Sequence, residues 1–455
     1  MVTIIPIDTP TLGDRSYLAH DGSVALVVDP QRDIDRVLAV AAAAGVRITH
    51  VFETHIHNDY VTGGAALAAR TGAAYHVNAE DPVMFVRVPV SEGDVIAVGD
   101  RMRLTALATP GHTFTHLSYA LAERDGDGWV SAGVFTGGSL LHGAVGRPDL
   151  LGPVHTNTLA WHQYESAHRL ATLPGDTRVL PTHGFGSFCA ATQTAATAST
   201  IDVERRTNPA LTADLDTFLA DLFAGLDAWP AYYSRMSPAN LAGPRPSDLD
   251  LPRRADAAAI RTNLAAGDWV IDLRHRVAFA AGHVPGTVNI GLDGSFATYL
   301  GWLVPGDASI TLLGSTPDEV RLARRELSRI GVDPVAHATG SPDGWAGGGP
   351  LHTYPRATFA DLDSVRQRRP VVVLDVRRNL EHAADHLDDV VHIPLHELAG
   401  RLAELPPGEV WVHCASGYRA SIAASLLAAT GRDVVHVDDD FDRAARPAAR
   451  AAAAA

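Results

Sequence analysis

The sequence predicts an α/β protein, a layered αβ/βα sandwich followed by two small doubly wound domains, and three observations carry that prediction. Strand-like apolar runs alternate with helical patterns along the chain. Within the first 200 residues, histidines recur in short loops directly after strand-like runs, where layered α/β proteins place their working side chains. A strand, helix and turn pattern beginning at Trp269 returns about 100 residues later at Val371.

Composition narrows the class. A chain of 455 residues sets an expectation of about three domains. Two cysteines, Cys189 and Cys414, lie too far apart in the sequence to form a disulfide framework, so a reducing, cytoplasmic setting is expected. A net charge of -15, with every basic residue an arginine, argues against nucleic acid or an anionic membrane as partner. No run approaches the roughly 20 apolar residues that a membrane span needs.

Taken in order, residues 1 to 35 read as paired strands and Ile34 to Ala44 as a helix. Val46 to Phe52 alternates as a half-buried strand and delivers Thr54-His55-Ile56-His57-Asn58-Asp59-Tyr60 into a loop. His55, His57 and Asp59 are spaced by two, the extended-chain period that turns side chains the same way, so they form a candidate metal cluster. A second helix runs from Gly64 to Thr71. The strand from Leu104 enters Thr109-Pro110-Gly111-His112, and the strand ending at Pro181 enters Thr182-His183-Gly184. Between them stand Phe135-Thr136-Gly137-Gly138 and Gly146-Arg147-Pro148-Asp149.

These motifs, in this order and spacing, resemble the metallo-β-lactamase superfamily, and within it the persulfide dioxygenases and their rhodanese fusions, related to hydroxyacylglutathione hydrolases. The resemblance covers roughly the first half of the chain. It implies one metal ion at the loop edge, Fe(II) with Zn(II) as the alternative. Tyr60 stands where two-metal hydrolases carry a histidine, and Gly138 where the mononuclear iron branch carries an aspartate. Three arrangements remain open: a site of His55, His57 and His112; the same site with Asp59 or His183 as a further ligand; and a metal-free scaffold. The resemblance places Arg147 beside the site, where it could grip an anionic thiol conjugate; an ion pair with Asp149 that shapes the loop is the other reading. Cys189 reads as a buried small residue.

The helical pattern with Leu211, Leu215, Phe218, Leu219 and Leu222 on one face leads into a Pro-rich linker that ends the first domain near residue 250. Residues 251-350 resemble a rhodanese domain. The strand from Ile310 to Leu313, however, is followed by Gly314-Ser315-Thr316-Pro317, with no cysteine, so a packing or orienting role is expected. Residues 357-445 repeat the pattern and end a strand in His413-Cys414-Ala415-Ser416-Gly417-Tyr418-Arg419. Cys414 at a helix N-terminus is the candidate nucleophile. Backbone N-H groups of Ser416, Gly417 and Tyr418, with Arg419, would stabilise a thiolate and cradle a persulfide or an anion. Four residues separate Cys414 from Arg419, one fewer than in the tyrosine phosphatases, which favours sulfur over phosphoryl transfer. Residues 446-455 are low-complexity.

The expected function is therefore sulfane-sulfur metabolism. Thiosulfate or a thiol persulfide would be the substrate and a low-molecular-weight thiol the co-substrate, with a metallo-hydrolase or a sulfur carrier as alternatives and homo-oligomerisation left open.

Overall fold

Alternation with a period of two builds the first half of the chain. Tyr17 and Ala19 face one side of their strand and Leu18 the other; Leu26 and Val28 oppose Ala25 and Val27 in the same way. In the computed structural model, which describes residues 1–444, β1 (Thr3–Thr9), β2 (Asp14–His20) and β3 (Val24–Val28) form an antiparallel meander. Helix α1 (Asp35–Ala44) returns the chain to β4 (Arg47–Phe52), parallel to β3. Helix α2 (Gly64–Thr71) leads to β5 (Ala74–Asn78), and β6 (Val88–Val90) completes a six-stranded sheet.

The second sheet takes β7 (Val95–Val98), β8 (Met102–Ala108), β9 (Leu117–Asp125) and β10 (Gly128–Gly137). After a small hairpin, β11 (Leu140–Leu141) and β12 (Ala144–Val145), and helix α3 (Pro153–Leu170), it adds β13 (Arg178–Pro181) and β14 (Ser199–Thr200), in the order β14-β13-β10-β9-β8-β7. One core lies between the sheets, with Tyr17, Leu26, Phe52, Leu104, Tyr119 and Phe135. A second lies under α1 and α2, and a third joins α3 and the helices that follow to the outer face of the second sheet. These are the αβ/βα layers. The C-terminal ends of β3, β4, β8, β10 and β13 and the start of β2 carry the polar loops described below.

The helical run after residue 200 is cut into pieces: α4 (Ile201–Thr207), α5 (Pro209–Thr212) and α6 (Leu215–Ala224). The cuts fall at Asn208 and Asp214, whose side chains accept from Ala210 N-H and Thr217 N-H and cap α5 and α6. Phe218 and Leu222 pack into the third core as their spacing requires. In the stretch expected to be a linker, α7 (Tyr233–Ala242) forms instead and buries Tyr233, Met236 and Asn240 on one face.

The first compact unit comprises Met1–Asp248 with Ser328–Gly331, and the second Leu249–Leu327 with Val332 onward. The second unit contains two five-stranded parallel sheets of one topology. The first follows β15 (Arg253–Arg254), α8 (Ala257–Ala265), β16 (Trp269–Asp272), α9 (Arg276–Ala281), β17 (Val288–Asn289), α10 (Phe296–Leu303), β18 (Ile310–Gly314), α11 (Pro317–Arg329), β19 (Ala336–Thr339) and α12 (Pro342–Ala346). The second follows β20 (Arg356–Ala357), α13 (Phe359–Arg366), β21 (Val372–Asp375), α14 (Asn379–Ala384), β22 (Val391–His392), α15 (Leu398–Arg401), β23 (Val410–His413), α16 (Tyr418–Ala429) and β24 (Val434–Val437). Their orders, β15-β19-β18-β16-β17 and β20-β24-β23-β21-β22, correspond strand for strand. The repeat extends to side chains: Arg274 chelates Asp272, and Arg377 chelates Asp375, through the same guanidinium nitrogens. The low-complexity tail lies outside the described residues. Among those described, no helix is long and apolar enough to cross a membrane.

Asn240 ties α7 to the histidine loop, donating to His57 O and Tyr60 O at 2.9 Å each and accepting from Thr62 N-H at 2.9 Å. Removing three buried hydrogen bonds strands their backbone partners, so Asn240→Ala is expected to lower unfolding stability by about 1–3 kcal/mol, read by chemical denaturation.

Candidate functional site

His55, His57 and Asp59 leave the end of β4, His112 the end of β8 and His183 the end of β13, and all five are buried. A ring nitrogen of each of His55, His57 and His183 lies within 4.8 Å of the others, and His183 also belongs to clusters with His112 and Cys189 and with Asp14 and Asp59. His183, rather than His112, is therefore the meeting point of the side chains. His112 stays beside it, with ring centroids 5.3 Å apart.

Which nitrogens are available is decided by outside partners, because the ring nitrogen that donates a proton cannot bind a metal. The Thr54 hydroxyl donates to Asp29 Oδ2 at 2.7 Å and so accepts from His55 Nδ1, 2.9 Å away, leaving His55 Nε2 a bare lone pair. His112 Nδ1 donates to Arg147 O at 2.9 Å, and its Nε2 is buried with no partner. His57 is fixed the other way round: Nε2 faces Asp29 at 3.3 Å, Glu53 at 3.2 Å and the Tyr60 hydroxyl at 3.0 Å, and Nδ1 is the orphan. His183 Nδ1 meets Asp14 at 2.9 Å and Asp59 at 3.1 Å, and its Nε2 stands 3.4 Å from His55 Nε2.

His116 shows the contrast. Its Nε2 accepts from Gly138 N-H at 3.0 Å and its Nδ1 meets Thr109 Oγ1 at 2.9 Å, so neither nitrogen is free for a ligand.

The electrostatics follow. Burial pushes His55 well below the usual imidazole range, and neighbouring imidazoles add to the effect. Burial and the charge of His183 take His112 to about 3. Burial also opposes charge on His57, but Asp29 and Glu53 outweigh it and raise His57 to about 9. At His183, Asp59 and Asp14 outweigh burial and raise it to about 10. Burial and the Asp59 charge raise Asp14 to about 7. The unpartnered ring nitrogens His57 Nδ1 and His112 Nε2, with the buried Asp59 carboxylate beside them, fit a single cation held by imidazoles that would displace the extra proton of His57.

Asp14, Asp29, Glu53 and Asn240 are site residues that sequence reasoning missed. Asp29 left one signal in the sequence, its place between a strand-like run and Pro30; in the structure it follows β3 at φ 52, a costly conformation for a non-glycine residue. Glu53 directly precedes Thr54 but reads there as the end of a strand, and Asp14 and Asn240 sit far from the motifs in sequence.

Gly138, expected to leave a vacancy where a carboxylate is missing, leaves none. A Cβ on Gly138 would lie 2.3 Å from His112 Cδ2, so the imidazole occupies that space. Arg147 is buried and chelates Asp149 at 2.7 Å through Nε and Nη2, while Nη2 and Nη1 also reach Asp227 O and Phe188 O. Its guanidinium thus shapes the loop. Cys189 is buried, with Sγ within 4.8 Å of ring nitrogens of His112 and His183.

The second site forms at the end of β23. Cys414 is buried, and Sγ accepts from Ala420 N-H at 3.4 Å in the first turn of α16. Gly417 turns the chain at φ 89, where a Cβ would strike Asp438 Oδ1 at 2.3 Å, so the loop requires glycine. Tyr418 OH donates to Gly291 O at 2.7 Å, Ser416 is exposed, and Arg419 grips Glu381 with two bonds of 2.5 and 2.7 Å. At the matching turn of the first sheet, Glu319 accepts from Ser315 N-H and no thiol is present.

Two sheets layered αβ/βα with histidine loops at one edge define the metallo-β-lactamase fold, and the chain belongs to the proteins of that fold. Residues 358–445 match the rhodanese-like domain family, which makes the chain a metallo-β-lactamase-fold protein fused to a rhodanese domain. A metallo-β-lactamase structure from Staphylococcus aureus is similar at 29% identity and a TM-score of 0.67, covering 74% of this chain and 99% of that one. The Polaromonas sp. hydroxyacylglutathione hydrolase is 35% identical over 163 residues, 35% of this chain and 57% of that protein. The human mitochondrial persulfide dioxygenase ETHE1 is 29% identical over 213 residues, 46% of this chain and 74% of that protein.

Restoring a carboxylate with Gly138→Asp is expected to drive His112 from its place, to lower stability by about 1–3 kcal/mol and to reduce metal content, checked by thermal melting and elemental analysis. At the thiol site, burial opposes charge on Glu381, but Arg419 takes its carboxyl from the ordinary 4.5 down to about 2. The unfolded chain thus binds more protons between those values, and the stabilisation, complete above pH 4.5, is lost as pH falls toward 2. Acid denaturation of Glu381→Gln should start from a lower stability at neutral pH and depend less on pH across that window.

Proposed function

We propose that the chain is an enzyme of sulfane-sulfur metabolism: a persulfide dioxygenase-like metal domain coupled to a sulfurtransferase that works through Cys414. The observation that carries the reading is the placement of Cys414 Sγ at the head of α16, facing Ala420 N-H. A helix N-terminus favours negative charge, and a thiolate is the form in which sulfur attacks.

In the transfer step, the Cys414 thiolate attacks the outer sulfur of thiosulfate, the S–S bond breaks, and sulfite leaves with the electron pair. Cys414 then carries a persulfide, which an acceptor thiolate discharges by the same displacement. Glu381 holds Arg419 beside the loop, Gly417 lets the turn close against Asp438, and Ser416 lies on its exposed side.

At the first site, His55, His57, His112 and His183 would hold one metal ion, with Asp59 as a further candidate. Fe(II) would supply activation of O2 toward a low-molecular-weight thiol persulfide, which is oxidised to sulfite. Burial keeps His55 and His112 neutral and excludes water, while the carboxylates beside His57 and His183 aim those rings and can take up the protons a metal would displace. Similarity to a persulfide dioxygenase and to a hydroxyacylglutathione hydrolase supports this reading, and the hydrolase keeps a second one in view: thioester or lactone hydrolysis with Zn(II).

Iron-loaded chain given a thiol persulfide should consume oxygen, and a chelator should stop it; no uptake with iron fully bound would remove the dioxygenase claim. Cys414→Ala should abolish transfer from thiosulfate to a thiol while leaving metal content unchanged, and full residual activity would remove the sulfurtransferase claim.

A further inference from the structure

We infer that Asp14 is a positioning residue that turns His183 into the ligand replacing the carboxylate missing at position 138, an inference that rests on the metal site proposed above. Asp14 belongs to none of the histidine motifs and stands 169 positions from His183. The backbone nevertheless clamps the two together. Arg15 N-H donates to Thr182 O at 2.8 Å and Phe185 N-H donates to Gly13 O at 3.1 Å, so the bonds bracket residues 14 and 183 on both sides. Gly13 is part of the same device: at φ +75, a Cβ there would lie 2.0 Å from Ser187 N, so only glycine lets the two turns close. Tyr17 OH, donating to Pro181 O at 2.7 Å, and the Arg15 guanidinium, 3.7 Å over the Phe185 ring, extend the clamp along both segments.

Held in this way, Asp14 Oδ1 meets His183 Nδ1 at 2.9 Å, fixes the proton there and leaves Nε2 as the donor atom. His55 presents Nε2 for the independent reason already given, and the two atoms face each other at 3.4 Å. In the ion-free chain the proton that Asp14 and Asp59 favour on His183 bridges these two nitrogens, and a cation in its place would meet a lone pair from each ring. Two imidazoles on one tetrahedral ion with bonds of about 2.0–2.1 Å stand roughly 3.4 Å apart, which matches. Asp59 Oδ2 lies farther from the same Nδ1, at 3.1 Å, so Asp14 is the nearer of the two acceptors. The site thereby acquires a fourth imidazole in a chain whose position 138 supplies no ligand.

The test is titration of the full-length chain with Co(II), together with proton NMR of the loaded protein. Wild type should bind and show shifted, exchangeable imidazole N-H signals, one of which disappears in His183→Ala. Asp14→Ala should weaken Co(II) binding about 10–100-fold and lose that same signal to solvent exchange, while the signals of His55 and His112 remain. Asp14→Asn, which can still accept from Nδ1, should keep the signal at a changed shift and recover part of the affinity. Far-UV circular dichroism and thermal melting report whether each variant has folded. Wild-type affinity and an unchanged spectrum in folded Asp14→Ala would overturn the inference alone, as would wild-type affinity in His183→Ala. Failure of the wild-type chain to bind Co(II) would overturn the metal reading together with the inference, and binding without oxygen uptake by the iron form would overturn only the oxidation.

Discussion

The site depends on fixing the proton of each histidine from outside. An imidazole offers one lone pair and one N-H when neutral, and which nitrogen carries which is set by the acceptor beside it. Thr54, Arg147 O and Asp14 each take the Nδ1 proton of a different ring, while the Asp29 and Glu53 carboxylates take the Nε2 proton of His57. The result is a set of lone pairs turned toward one small volume. His116, equally buried and 5.0 Å from His55 between ring centroids, stays out because its acceptor nitrogen is used by Gly138 N-H.

Those acceptors are where the fold enters the chemistry. Asp29 stands at the end of β3, held in a left-handed conformation, and ties the loops after β4 and β13 by accepting from Thr54 N-H, the Thr54 hydroxyl and the Thr182 hydroxyl. One carboxylate thus sets the relative position of two histidine-bearing turns. The two sheets contribute the other half of the frame, since their shared core of alternating side chains fixes the edge from which every loop departs.

The thiol site uses a different principle. It is built from consecutive residues, strand then loop then helix, and its essential contact, Ala420 N-H to Cys414 Sγ, spans only six positions. Local chain geometry is enough to assemble it, and tertiary structure adds the outer support of Glu381 on Arg419 and Gly291 on Tyr418. The first sheet of the same unit keeps the strand order and the Asp–Arg chelate but carries a serine turn at the equivalent place, so it shares the scaffold and lacks the nucleophile.

Much was determined by the sequence itself. Strand alternation, helix limits such as Gly64 to Thr71, the repeat around Asp272 and Asp375, and the strand–Cys414–helix motif all arise from contacts within a few residues, which local pattern encodes. The four histidines could be named for the same reason. What the sequence did not reveal were the relations between distant segments: that His183 rather than His112 is the meeting point, that His112 fills the space at Gly138, that Arg147 is committed to its own loop, and that Asp14, Asp29 and Asn240 belong to the site. The physical reason is that a histidine's proton follows whichever acceptor lies within about 3 Å, and that neighbour is chosen by strand register and loop closure across more than a hundred residues.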